Sequence, residues 1–143
     1  KTRKVLGNMS ASNCSSPSVL ATLPGDPSLI VHTNVTTTDT EGKKKFMKAA
    51  SQALAKCLSK PESYVAVCVL DGLDMIWAGE DTPCALCSVI SLGGINLSNN
   101  SALSKEICAM LGEDFGIPDD RVYIAFTDVP RENMGYKGAT FAG

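Results

Sequence analysis

The sequence predicts an α+β domain in which two β-α-β units form one four-stranded sheet with two helices on one face. Three observations predict it. Apolar runs rich in β-branched residues alternate with stretches of helical period. The two halves repeat one another around prolines 57 residues apart. A chain of 143 residues is long enough for one domain with its own core.

The first strand is Leu29-Ile-Val-His-Thr-Asn-Val35. Thr38, followed three places later by Glu41, has the form of a capping box and predicts a helix start there. Phe46, Ala49, Ala50, Ala53, Leu54, Cys57 and Leu58 then recur at helical spacing. Lys43, Lys44, Lys45 and Lys48 are read as the solvated face of this helix. Ser59-Lys60-Pro61 ends it, since the residue before proline disfavours helical geometry. The apolar run from Tyr64 to Leu70 is the second strand, covered on at least one face. The second half begins with a strand over 86–92, broken by Gly93-Gly94. A helix with a stripe of Leu103, Ile107, Met110, Leu111 and Phe115 follows, and then a strand over 121–126. Lys60-Pro61-Glu-Ser-Tyr-Val65 rhymes with Ile117-Pro118-Asp-Asp-Arg-Val122. Two such units cover one sheet face with helices and leave the other bare. The apolar strands predict that this face is buried between subunits.

Charge divides the chain into 1–26, an N-terminal extension, and 27–143, the folded domain. The extension carries a balance of +2 and the remainder −4. It is basic and Ser-rich, with no acid before Asp26 and no apolar core of a secretory leader. It reads as a flexible or artificial tail, or as a targeting remnant. The net charge of −2 argues against a nucleic-acid partner, and the longest apolar run is too short for membrane insertion. A cytoplasmic location is expected, with leaderless secretion or organelle targeting as alternatives. Six cysteines without regular spacing are read as reduced thiols. The five N-x-S/T sequons at Asn8, Asn13, Asn34, Asn96 and Asn99 are read as chance, with Asn34 lying in a strand.

Few residues carry chemistry by themselves. Cys84-Ala-Leu-Cys87 has redox spacing, but it leads into a strand, where alternation sends the two thiols to opposite faces. Zinc needs a second pair that the sequence lacks, so no metal is expected. His32, the single histidine, reads as a surface or edge contact; no nucleophile elbow accompanies it. Lys60 is either a cation satisfying the end of a helix or an anion anchor at a pocket mouth.

Taken in order, PSLIVHTNV, KPESYVAV, DTPCALCSVISLGGI, PDDRVYIAF and MGYKGATFAG resemble the macrophage migration inhibitory factor family of the tautomerase superfamily. The resemblance runs from Pro27 to Phe141. It implies a homotrimer with sheets packed together, no cofactor, and keto–enol tautomerisation of phenylpyruvate-like and dopachrome-like compounds. By that resemblance Pro27 is the base and Lys60 holds the substrate carboxylate. The backbone of Leu92 positions the ligand, and Tyr123 enters from a neighbouring subunit. Tyr64, Met134, Tyr136 and Phe141 form the walls, with Ser28 at the mouth. Ala125 and Tyr136 depart from the mammalian pattern, which has asparagine and tryptophan there. The gravest departure is the extension: an in-chain proline nitrogen is an amide whose lone pair is delocalised, so Pro27 acts as a base only when it is the terminus. Two other functions remain open. One is a cytokine-like protein that binds a cell-surface receptor and keeps a vestigial pocket; the other is a thiol oxidoreductase using Cys84 and Cys87.

Overall fold

The computed structural model describes residues 26–143. The readings of residues 1–25, including Cys14 and the sequons at Asn8 and Asn13, lie outside the described residues. Four strands form the main sheet: β1 (Ser28–Thr33), β2 (Ala66–Leu70), β3 (Ala85–Ser91) and β4 (Val122–Asp128). Their order is β2-β1-β3-β4, with β1 antiparallel to β3 and parallel pairs on either side. Helices α1 (Thr40–Cys57) and α2 (Leu97–Phe115) cover one face. A short ribbon, β5 (Gly135–Tyr136) with β6 (Ala139–Thr140), ends the chain.

Helix α1 buries the predicted stripe from Phe46 to Cys57, and α2 buries Leu103, Ile107, Met110, Leu111 and Phe115. Phe46 and Phe115 meet edge-on with centroids 5.1 Å apart, joining the helices over the sheet. Leu54 is fully buried in this core; truncating such a residue to alanine costs about 2–5 kcal/mol. Each helix of the repeat is followed by the same device. Pro61 and Pro118, both near φ −62°, open 3-10 turns at Glu62–Tyr64 and Asp119–Arg121 that feed β2 and β4.

Several expectations need correction. The cap of α1 is Asp39, whose carboxylate accepts from the Gly42 N–H at 2.9 Å, and not Thr38. Lys43 is not merely solvated: its ammonium pairs with Asp71 at 3.0 Å. The second helical stripe needs no correction; its helix, α2, begins at Leu97, capped by Asn96. Asn34 lies just past β1, and its amide grips Asp81, Thr82 and Cys84 backbone.

The helix-free sheet face is bare in the single chain, as expected. Register places Leu70, His32, Leu86 and Tyr123 in one row across it. His32 is therefore central, on an interior strand, and not an edge residue. The apolar run of β2 alternates, with Ala66, Cys68 and Leu70 exposed on this face.

Candidate active site

One end of the sheet gathers most of the predicted site: the starts of β1 and β2 and the ends of β3 and β4. Pro27 is buried there, and its carbonyl accepts from the Ala66 N–H at 3.1 Å. Asp26, the residue that acylates its nitrogen, has its carboxyl raised by burial above the usual range.

Lys60 is placed by the way α1 ends. Ser59 adopts a left-handed φ of 54°, so the Lys60 N–H reaches back to Ala55 O at 2.9 Å and the Ser59 N–H to Lys56 O at 3.4 Å. That pair of bonds is a Schellman motif, built here on serine where glycine is usual. The backbone of Lys60 thus caps the helix. Its side chain does something else. The residue is 5 % exposed, and its ammonium lies near Gly93, within 3.9 Å of where a Cβ on that glycine would sit. Burial holds the Lys60 ammonium below the usual lysine range; the Arg131 charge adds to this, and Asp128 opposes it.

Leu92, itself buried, and Gly93 line a cavity of about 340 Å³ together with Asp128, Val129, Pro130, Arg131 and Glu132. Asp128 fastens the turn after β3 by accepting from the Gly93 N–H at 2.9 Å. Arg131 donates from Nη2 to the Phe141 carbonyl and so ties the C-terminal segment to the site. Tyr136 and Phe141 stack with centroids 5.4 Å apart and planes 4° from parallel. Tyr64 leans on both, at 5.7 and 6.4 Å. This cluster forms an aromatic wall carried by β5, the chain end and the turn before β2. Met134, half-buried, precedes β5, and its carbonyl accepts from the Phe141 N–H at 3.0 Å. Ser28 begins β1 beside Pro27.

Tyr123 is the exception. It stands at the opposite end of the sheet, on the helix-free face, and is 67 % exposed. Within one chain it does not join the others. Asp128 and Arg131 escaped the sequence reading altogether. A signal for Arg131 was present: Pro130 opens a third 3-10 turn, Arg131–Asn133, just as Pro61 and Pro118 open theirs. Repetition of that proline device marks the place.

The thiols behave differently from a redox pair. Cys84 precedes β3, and both Cys84 and Cys87 are buried. Burial, with a contribution from Cys108, pushes the Cys87 thiol up to about 12, which leaves almost no thiolate for exchange at neutral pH. None of the five cysteines among the described residues forms a disulfide. No cluster of metal-binding side chains occurs among the described residues. No helix among them is long and apolar enough to cross a membrane.

Comparison with known proteins decides the family. A sequence model described as macrophage migration inhibitory factor (MIF) matches residues 26–142. The chain belongs to the MIF family. Macrophage migration inhibitory factor of Mus musculus is 40% identical over 117 residues, which is 81% of this chain and 99% of the mouse protein. The homolog of Brugia malayi is 38% identical over 96 residues, 67% of this chain and 84% of that one. Among solved structures, the homologue from Prochlorococcus marinus superposes with a TM-score of 0.75 at 31% identity, covering 80% of this chain and 98% of its own. The Toxoplasma gondii protein gives 0.76 at 29%, covering 79% and 98%. The match covers 84% of the Brugia malayi protein and 98–99% of the other three.

Proposed function

We propose that the chain is a keto–enol tautomerase of aromatic 2-oxo acids, of the phenylpyruvate and dopachrome type, active when Pro27 is the N-terminus. The observation that carries this reading is the buried Lys60 ammonium near Gly93, which lines a cavity whose Arg131 holds the Phe141 end of the aromatic wall. A cation in such a place attracts the carboxylate of a flat substrate, and Tyr64, Tyr136 and Phe141 give its ring a surface to lie against. Met134 extends the wall, the Leu92 backbone orients the ligand, and Ser28 stands at the mouth.

The chemistry needs a base of near-neutral pKa. A secondary amine at a buried N-terminus has one, because burial disfavours its charged form. Pro27 would take the proton from the carbon next to the carbonyl, leaving an enolate, and the protonated nitrogen would give it to the enolate oxygen to form the enol. Lys60 offsets the charge that builds on the oxygen. While residues 1–26 remain attached, the Pro27 nitrogen is an amide and holds no basic lone pair. The extension is thus a mask on the domain that begins at Pro27.

The reading includes a homotrimer. The bare sheet face supports it, as does the position of Tyr123, which is too far from its own chain's Lys60 cluster to serve it and is exposed for a neighbour's.

The test compares the full chain with a chain that starts at Pro27, using phenylpyruvate and following the enol. General-base catalysis is worth about 10²–10⁴ in rate, so the trimmed chain should gain by that order, and it should sediment at about three times the monomer mass. Equal rates in two samples of verified mass would overturn the assignment of Pro27.

A further inference from the structure

An exposed tyrosine on a strand keeps its ring rotamers unless something packs on it, and Tyr123 has such a neighbour. Trp77, the single tryptophan of the chain, lies against it with ring centroids 4.2 Å apart and planes at 35°. Trp77 is in turn held from two directions. It opens a two-residue hairpin in which its N–H and carbonyl exchange bonds with Glu80 at 2.9 and 3.0 Å. The central residues Ala78 and Gly79 both take positive φ, 53° and 76°, the type I′ geometry that hairpins of this length prefer. Alanine is an uncommon choice there, since its Cβ makes left-handed backbone unfavourable. Arg121 supplies the second hold. Its guanidinium carbon sits 5.9 Å from the Trp77 ring centre. Its Nε donates to Pro83 O at 2.9 Å, and its Nη2 to Thr82 O at 3.1 Å and Trp77 O at 3.4 Å. A cation bound to three carbonyls is a fixed cation. It pins the loop that carries Trp77 onto the start of β4, two residues from Tyr123.

We propose that Trp77 is a positioning residue for Tyr123: with Arg121 and the 77–80 hairpin it forms a bracket that fixes the tilt of the Tyr123 ring and the direction of its hydroxyl. The proposal rests on the tautomerase reading, in which that hydroxyl enters a neighbouring subunit's site. Nothing in the composition of the 76–83 segment assigns it a task. Without the bracket, Tyr123 on the bare sheet face has rotamers to choose from, and a hydroxyl swinging on a six-atom ring misses its target by ångströms. Displacements of about 1 Å around a reacting centre cost up to about 10² in rate.

The role is testable by its dependence on Tyr123. In the chain that starts at Pro27, Trp77→Leu keeps apolar bulk but removes the ring, and should lower kcat for phenylpyruvate about 10-fold with a smaller change in KM. Trp77→Phe, which restores a ring, should recover most of the loss. In a Tyr123→Phe background, which has no hydroxyl to aim, Trp77→Leu should add nothing further. The same loss in both backgrounds, or no loss in either, would overturn the proposal. A trimmed parent without activity would instead overturn the functional reading and, with it, any catalytic role for Trp77. A separate arm uses the full chain and needs no turnover. Because there is one tryptophan, the emission reports the surroundings of Trp77, and Tyr123→Ala should shift it. Unchanged emission would overturn the bracket itself.

Discussion

The turn after β3 couples the core to Lys60, and Gly94→Ala tests that coupling. Gly94 has φ +76°, and a Cβ built there would lie 2.9 Å from the Leu58 carbonyl oxygen and 3.5 Å from the Leu58 Cα. Both are backbone atoms of the helix end that places Lys60, so neither can swing away. The left-handed conformation costs an L-residue about 1–2 kcal/mol. Stiffening the unfolded chain returns about 0.4–1 kcal/mol. Pushing backbone apart adds about 1–3 kcal/mol, the range seen for overpacking. The net loss should therefore be about 1–5 kcal/mol. Gly79→Ala is the control: φ is again +76°, but nothing lies within 4 Å. It should lose only the conformational part, about 0–2 kcal/mol. Urea unfolding of both variants at matched protein concentration gives the difference, provided the slope with denaturant is unchanged. In the chain that starts at Pro27 the same push should raise KM, because Leu58 is two residues from Lys60. If Gly94→Ala costs no more than Gly79→Ala, the helix end and the turn are not in contact as described.

Two further outcomes follow from the Lys60 site. Its ammonium is depressed below the ordinary 10.5, so KM for a carboxylate substrate should rise with pH before 10.5 is reached; Arg131→Ala should move that rise to higher pH and Asp128→Asn to lower pH. Identical KM profiles in the three trimmed proteins would refute the assignment of these charges to Lys60. Ser59→Gly relieves a left-handed backbone, worth about 0–2 kcal/mol after the added freedom of the unfolded chain, and is compared in urea with Ser59→Ala, which lacks the hydroxyl but keeps the strain; a glycine variant no more stable than the alanine variant would refute the strain at Ser59.

The fold was legible wherever periodicity carried it. The stripe from Phe46 to Leu58 and the apolar runs at 65–70 and 86–92 could form only a helix and strands, and the repeat around Pro61 and Pro118 gave their arrangement. Boundaries failed where polar residues compete for the same task. Thr38 and Asp39 are both good caps, and only the reach of the carboxylate to Gly42 separates them. The first turns of α2 carry an exposed leucine and a run of polar residues, of which Asn99 is buried, so its apolar stripe became visible only at Leu103. The site was less legible, because it is built from turns and chain ends that have no period. Lys60 could be flagged by its position before Pro61, but composition could not choose between a helix cap and an anion anchor. The structure divides the two tasks between its backbone and its side chain. Tyr64, Tyr136 and Phe141 were grouped only through the family resemblance, and Arg131 was not grouped at all.

The irregular backbone marks where these tasks lie. Among the described residues, three that are not glycine have positive φ: Ser59, Ala78 and Lys137. Each costs about 1–2 kcal/mol against a relaxed backbone, and none lies in the core that the helices and sheet bury. Ser59 precedes Lys60, Ala78 follows Trp77, and Lys137 follows Tyr136. In each case the strained residue turns the chain so that its neighbour packs against the site or against Tyr123. Ser59 brings the Lys60 N–H back onto α1, and Ala78 closes the hairpin that bears Trp77. Lys137, with Gly138, reverses the chain between β5 and β6, so that Tyr136 and Phe141 stack. Strain of this kind persists only where surrounding contacts over-determine it. Here those contacts are the Schellman bonds, the Arg121 bracket and the aromatic stack. Side chains that the sequence leaves in three separate turns are thereby oriented at a cost of a few kcal/mol, which the regular core offsets.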